Sequence, residues 1–387
     1  MRNSYLVGVS LLSFGLSYTG LIQAEEAVVK VKDGGLRVSF GDAAFRIGGR
    51  AQFDAAWVDD DITEIPSGTD VRRARVFIKG NIDKNWGYKV QYDFSEHVMK
   101  DMFITYKGLG FGNITIGQFA PPMFLESYTS SKWTTMIERA VVDNFALDRE
   151  LGIGFDHSGD NYSIYASITG DNMEADETGD DAYSLVGRFT YAPMHSEGNV
   201  LHFGATLGLL EASDDGVSYG ARPGSKVDGG AKLVSNGVGD AEKQTVAGIE
   251  VATVMGSFSA QAEYISAMVS GRDSTEDEDY SAYYVAATWF VTGESRSYYV
   301  DGGIFDQPIM TRNAWELAAR YDHVDLSDDS NGIAKNEGDL DTITLGLNFY
   351  PTKSIRFSLN LIQSESDLES GGEEDVKIVQ FRSQLVF

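Results

Sequence analysis

Residues 45–57 read Phe45-Arg46-Ile47-Gly48-Gly49-Arg50-Ala51-Gln52-Phe53-Asp54-Ala55-Ala56-Trp57. Taken every second residue, Phe45, Ile47, Gly49, Ala51, Phe53, Ala55 and Trp57 form one face, and Arg46, Gly48, Arg50, Gln52 and Asp54 the other. A helix cannot hold a period of two, whereas a β-strand sends successive side chains to opposite sides. The run is also longer than most strands of soluble sheets. A long strand that is apolar on one side and charged on the other is what a wall between lipid and a polar lumen requires.

The pattern repeats along the chain. Trp86, Tyr88, Val90, Tyr92 and Phe94 alternate with Lys89, Gln91 and Asp93; Leu201 to Leu209 and Ile343 to Phe349 do the same. Marking every such segment gives 45–58, 70–82, 86–94, 101–107, 112–119, 149–157, 161–169 and 181–191. The second half gives 199–209, 244–255, 257–269, 280–292, 313–325, 340–350, 354–365 and 375–387. Sixteen is an even number, as a closed bacterial barrel requires. The expected fold class is therefore all-β: a transmembrane antiparallel β-barrel of 16 strands.

The connections alternate between short and long. Turns such as 83–85, 108–111, 158–160 and 351–353 contrast with 59–69, 120–148, 170–180, 210–243, 270–279, 326–339 and 366–374. Short periplasmic turns and long outer loops give this alternation. Two connections break it, the short outer loop 95–100 and the long inner one 293–312, which either enters the lumen or hides a pair of strands. Val379, Phe381, Ser383, Leu385 and Phe387 then alternate to a terminal phenylalanine. A last strand of this kind must pair with the first, because an open sheet edge cannot stand in hydrocarbon.

The start of the chain has another character. Arg2, the apolar run from Tyr5 to Ile22, and Gln23-Ala24 before Glu25-Glu26 have the form of a secretory signal, with cleavage expected after Ala24. The division is then 1–24 signal peptide, 25–42 a short N-terminal periplasmic segment, and 43–387 the barrel. With no cysteine, disulfides and thiolate chemistry are excluded. A net charge of −27 argues against a nucleic-acid partner, whose phosphates it would repel. Six of the long loops (all but 120–148) hold 28 acids against 6 basic residues, a net of −22. That rim reads first as a solvated face, and secondarily as a place where divalent cations bridge to the anionic outer leaflet.

Basic residues concentrate elsewhere. Arg73, Arg75 and Lys79 share one face of their strand, opposite Ala74, Val76 and Ile78. A lysine or arginine facing lipid near the midplane costs about 2–4 kcal/mol, so that face must be the lumen. The same logic turns Arg46, Arg50, Lys89, Arg188, Arg320 and Arg356 inward. They either line an anion path, for which guanidinium is suited by permanent charge and several donors, or pair with Asp54, Asp93, Glu250, Glu263, Glu316 and Asp322 to stiffen the wall. Segment 120–148 is too apolar to stand in water, carrying Trp133, Met136, Ile137, Val141, Val142 and Phe145. It is expected to pack inside the barrel with a short helix, presenting Lys132, Glu138 and Arg139 at a constriction.

Several blocks, in order, resemble the phosphate-selective porins of the O and P type. They are Gly48-Gly49-Arg50, Arg72-Arg73-Ala74-Arg75, Tyr92-Asp93-Phe94, and Gly117-Gln118-Phe119 leading through Pro122 and Glu126 to Ser130-Ser131 and Glu138-Arg139. Thr292-Gly293-Glu294-Ser295-Arg296, Ala314-Trp315-Glu316 and Arg320-Tyr321 continue the series. The resemblance implies a homotrimer in the outer membrane of a Gram-negative bacterium. It further implies inward segments that form a constriction, and basic side chains that guide phosphate or other small anions, with no cofactor and no metal. The acidic rim departs from a strongly anion-selective pattern, so a general, weakly selective porin is the alternative. An enzyme is a poor fit: His97, His157, His195, His202 and His323 show no serine–carboxylate arrangement, and Gly108–Gly112 is a turn between strands rather than a nucleotide loop.

Overall fold

The computed structural model describes residues 27–32, 34–174, 182–212, 216–272, 277–327, 337–369 and 371–387. The signal segment and its cleavage point lie outside them. The segment expected as a short N-terminal periplasmic one holds a hairpin of β1 (Val28–Lys32) and β2 (Gly35–Phe40). β2 pairs antiparallel with the first residues of the first wall strand, from Leu36↔Ile47 to Phe40↔Ala43.

The wall begins with β3 (Ala43–Asp60), β4 (Gly68–Asn81), β5 (Trp86–Asp93), β6 (Val98–Tyr106) and β7 (Asn113–Phe119). After a long loop containing α1 (Leu125–Tyr128) it continues with β8 (Glu150–Ser158), β9 (Tyr162–Thr169), β10 (Ser184–Ser196) and β11 (Asn199–Glu211). A separate hairpin, β12 (Val217–Ala221) with β13 (Val234–Val238), stands off the wall. Wall strands β14 (Ala241–Met255), β15 (Phe258–Gly271) and β16 (Glu278–Phe290) follow. A second detached hairpin, β17 (Ser295–Tyr299) with β18 (Ile304–Ile309), precedes β19 (Ala314–Asp325), β20 (Gly338–Thr352), β21 (Ile355–Leu368) and β22 (Gly372–Val386).

Each wall strand pairs antiparallel with the next, and β22 pairs with β3 from Val376↔Asp60 to Val386↔Arg50. Sixteen strands thus close on themselves. At the seam the terminal residue completes the ladder: Gly49 N donates to Phe387 O at 2.9 Å and Phe387 N to Gly49 O at 3.2 Å.

Burial follows the period of two. In β21, Arg356, Ser358, Asn360, Ile362, Ser364 and Ser366 are buried, while Ile355, Phe357, Leu359 and Leu361 are exposed. The exposed side carries lipid-facing apolar residues. Near the periplasmic turns it ends in aromatic pairs, Phe258–Trp289 and Trp315–Phe349, stacked with ring centroids 5.4 and 4.3 Å apart. Aromatic rings of this kind mark the membrane interface of a barrel.

Two departures from strict alternation have local causes. β10, expected at 181–191, runs on to Ser196, with a register shift between Tyr191 and Met194. Pro193 lies in that irregularity, where its missing N–H disrupts no ladder bond. In β4 the register against β3 slips between Gln52 and Asp54, so Val71 and Arg72 occupy a bulge. An extra residue in one strand re-aims a side chain, and consecutive Arg72 and Arg73 are accordingly both buried toward the lumen. Alternation alone places Arg72 outside.

Candidate functional site in the barrel lumen

Three inserts occupy the lumen. Loop 120–148 enters as expected, with α1 and a single 3-10 turn at Val141–Phe145. Met123, Phe124, Leu125, Met136, Ile137 and Val142 are each 2 % exposed or less, so its apolar residues are fully covered. The connection 293–312 also enters: Arg188, on the inner face of β10, donates to Gly302 O at 3.0 Å and Gly303 O at 2.8 Å. It is thus both an insert and a pair of strands. Loop 210–243 corrects the expectation of an outer rim loop. Tyr219, Ala221, Val227, Leu233, Val234 and Val238 join one apolar cluster with Val142 and Phe145. Its alternating apolar residues were the signal for this; the acids at its ends mask it.

The inserts are held by the basic residues of the wall. Arg50 Nη1 donates to Ser131 Oγ at 2.5 Å, Arg356 Nη1 to Thr134 O at 2.7 Å, and Arg320 Nη1 to Glu138 O at 3.0 Å. Glu138 is the central anchor. Arg72 grips it with Nε and Nη2 at 3.0 and 3.2 Å, and Arg382 Nη2 lies 2.7 Å from it. Arg382 also forks onto Asp54 at 2.7 and 2.6 Å and donates to Ile137 O. Burial by itself would raise the Glu138 carboxyl, but Arg72, Arg382 and Arg73 hold it well below the usual range. Arg139 does something else: it donates to Glu126 O and Thr129 O, tying the two limbs of the loop together.

The nine inward basic residues read from sequence therefore divide. Arg75 pairs with Asp93 at 2.5 Å, Lys89 with Asp101, Arg188 with Glu250 at 2.5 Å and Arg320 with Asp322 at 2.6 Å. Arg46, Arg50, Arg73, Lys79 and Arg356 have no carboxylate oxygen within 4.0 Å among the described residues. Of the acids named as wall partners, Glu263 and Glu316 form no ion pair with arginine within 4.0 Å among the described residues. Glu263 accepts from loop amides, and Glu316 from Asn348 and Tyr350. Among the histidines, His202 is fully buried between Glu250 and Tyr298, and His323 faces outward against Asp341.

Sequence reading missed Arg72, Arg382, Arg149, Arg222 and Lys226. Arg382 was legible, since it alternates with Val379, Phe381 and Leu385 on the last strand. The others depend on the bulge or on the inserted loops.

An outer and an inner space lie beside the inserts. An outer cavity of about 100 Å³ is lined by Arg72, Arg73, Arg139, Arg222, Lys226 and Arg320, with Glu138, Asp143 and Asp322 opposing them. An inner vestibule of about 660 Å³ opens on the periplasmic side. Its lining includes Arg37, Arg46, Lys79, Lys89 and Lys107, with Tyr128 and Tyr299, and no carboxylate residue. Arg46, Lys79 and Lys132 place their charges 5.7, 5.8 and 5.8 Å from the Phe77 ring centroid. Burial, reinforced by Arg50, Lys79 and Arg46, brings the Lys132 ammonium down to about 7.

The family described as Phosphate-selective porin O and P matches residues 45–387. Porin O of Pseudomonas aeruginosa is 29% identical over 419 residues, covering 96% of this chain and 95% of that protein. Among solved structures, the anion-selective porin from Comamonas acidovorans superposes with a TM-score of 0.61 at 14% identity, covering 89% of this chain and 100% of that one. The outer membrane channel DcaP of Acinetobacter baumannii gives a TM-score of 0.57 at 14% identity, covering 89% and 97%. At those identities the two structures speak for the fold alone.

Proposed function

The chain belongs to the phosphate-selective porin O and P family, and from that premise we propose that its lumen passes small anions, phosphate among them, in preference to cations. Family and fold make it a porin-type diffusion channel of the Gram-negative outer membrane and not an enzyme. The observation that carries the finer reading is the inner vestibule, where five basic side chains line the space without a carboxylate. Guanidinium and ammonium donors there give a permeating oxyanion successive weak partners, and weak sites permit flux where a tight one would block it. Of the residues first singled out, Arg46 and Lys79 carry this role in the vestibule, and Arg73 lines the outer cavity instead. Arg50, Arg188, Arg320 and Arg356 serve mainly to hold the inserts.

The acidic outer loops favour the second reading, a general and weakly selective porin. Distance weighs against it, because the Debye length is about 10 Å at 0.1 M salt and an ion in the vestibule responds chiefly to the wall beside it. The reversal potential across a planar bilayer under a salt gradient separates the two. The expected sign is anionic at 0.1 M and above, with chloride current reduced by added phosphate. A cation preference under those conditions leaves only the general porin. The same recording read against pH reports Lys132: its charge is present below about 7 and lost above. Anion preference is therefore expected to fall between pH 6 and pH 8.5, and a Lys132→Arg variant is expected to keep it.

The resemblance further supports a homotrimer. The apolar inner face of β16, which invites a second protein surface, is covered from within, Tyr280 by Tyr219 and Phe290 by Tyr350. Only its outer face, with Val285, Ala287 and Trp289, is left for lipid or a neighbour. A native mass of three chains in mild detergent is the expected result, and a uniformly monomeric one refutes it. Lipopolysaccharide bridged through divalent cations to the acidic rim stands as a secondary partner.

A further inference from the structure

On the β10–β15 side the lumen is filled from both membrane faces, and the two fillings meet at one carboxylate. Glu250, on the inner face of β14, is 5 % exposed. It lies across Gly204 of the neighbouring strand, at a position where any side chain would collide with it. One of its oxygens accepts the Leu125 N–H, the first amide of α1 in the outer loop, at 2.8 Å. Glu263, its cross-strand neighbour, accepts the same N–H and that of Glu126, each at 2.8 Å.

The other oxygen of Glu250 serves the periplasmic hairpin. It takes Arg188 Nη2 at 2.5 Å and His202 Nε2 at 3.0 Å. Arg188 in turn donates to Gly302 O and Gly303 O, and His202 Nδ1 meets the Tyr298 hydroxyl at 2.5 Å. The hairpin tip comes this close because residue 303 is glycine: its φ is +58°, and a Cβ there would stand 2.6 Å from Thr190. Apolar packing joins the same two inserts, with Leu125 of α1 and Phe305 of β18 buried together over Val200, Ala252 and Val254.

We propose that Glu250 is a positioning residue that couples the two inserts, so that outer loop and periplasmic hairpin dock together and loosen together, leaving the basic vestibule beside β3–β6 as the open space. The coupling follows from how the groups share one carboxylate. Losing its charge leaves α1 with Glu263 as its remaining carboxylate partner and, at once, weakens the group that orients both side chains gripping the hairpin. A buried hydrogen-bonded network of this kind responds as a unit, because each member fixes the orientation of the next. The coupling holds whichever ion the lumen prefers, so a failure of anion selectivity leaves it standing.

Hydrogen–deuterium exchange on the full protein in mild detergent tests it, with the wall strand Ile355–Leu368 as internal control. In Glu250→Gln, exchange is expected to speed at least tenfold in both 120–128 and 297–305 while the control strand is unchanged. Tyr298→Phe, which removes one hydroxyl from the hairpin and leaves the barrel intact, keeps the test decisive if the first variant folds poorly. Exchange in 120–128, on the opposite insert, is expected to rise about threefold or more. Acceleration confined to the insert that carries the change, or no change in either, overturns the coupling. Uniform acceleration that includes the control strand assigns Glu250 to general stability and also overturns it.

Discussion

Arg382→Met is expected to destabilise the barrel by about 3–5 kcal/mol, the usual range when one partner of a buried ion pair is removed. The Arg382 and Asp54 side chains are both fully buried, at 2.6 Å. Without the arginine, Asp54 keeps, among the described residues, the hydrogen bond from Gln380 at 3.0 Å. Glu138 keeps Arg72 but loses its second cation, and Ile137 O loses a charged donor. Loop 120–148 is therefore released at its centre as well. Urea unfolding, followed by the mobility shift of the folded barrel on gels, reads the stability. Unitary conductance reads the loop, and an increase is expected. The double variant Asp54→Leu with Arg382→Met is expected to recover part of the lost stability, because it removes both buried charges together. A single variant within about 0.5 kcal/mol of wild type would show that the cluster contributes specificity without stability.

The second large effect is electrical. Arg46→Glu combined with Lys79→Glu is expected to reverse the ion preference of the channel. An ion about 6 Å from one fixed charge feels about 0.7 kcal/mol even in water-like surroundings, and more where the walls exclude water. The two substitutions move the vestibule by four charge units, which shifts the local anion-to-cation ratio by roughly tenfold or more. Neither residue has a carboxylate partner within 4.0 Å among the described residues. Among the described residues neither holds an insert through a side-chain hydrogen bond, so the barrel is expected to fold normally. The reversal potential in a salt gradient is expected to change sign. An unchanged potential would move the selective step to the outer cavity, beside Arg72, Arg73, Arg222 and Lys226. The contrasting pair Arg75→Gln and Lys89→Gln is expected to do less, since Asp93 and Asp101 already offset those charges.

What the sequence by itself determined is the wall. Period-two alternation is a property of a few consecutive residues, and the cost of a charge in hydrocarbon assigns each face without reference to any other strand. That is why sixteen strands, the inward faces of Arg46, Arg73 and Arg356, and the closing role of Phe387 were all legible. The burial of loop 120–148 was legible for a related reason, since Trp133 to Phe145 are too apolar for water.

Tertiary structure alone decided what the inward charges do. Arg382 and Glu138 are 244 residues apart, and Gln52 and Gln384 are 332 apart. They meet only because the closed barrel fixes a register across its seam. The bulge that brings Arg72 beside Arg73 is a one-residue slip against β3, which no local pattern encodes. Whether Arg222 and Lys226 line the lumen or face the medium depends on loop 210–243 finding an apolar surface on Val142 and Phe145, and that surface exists only once loop 120–148 has folded inward. Strand identity is local chemistry; partner identity is set by closure, and closure is a property of the whole chain.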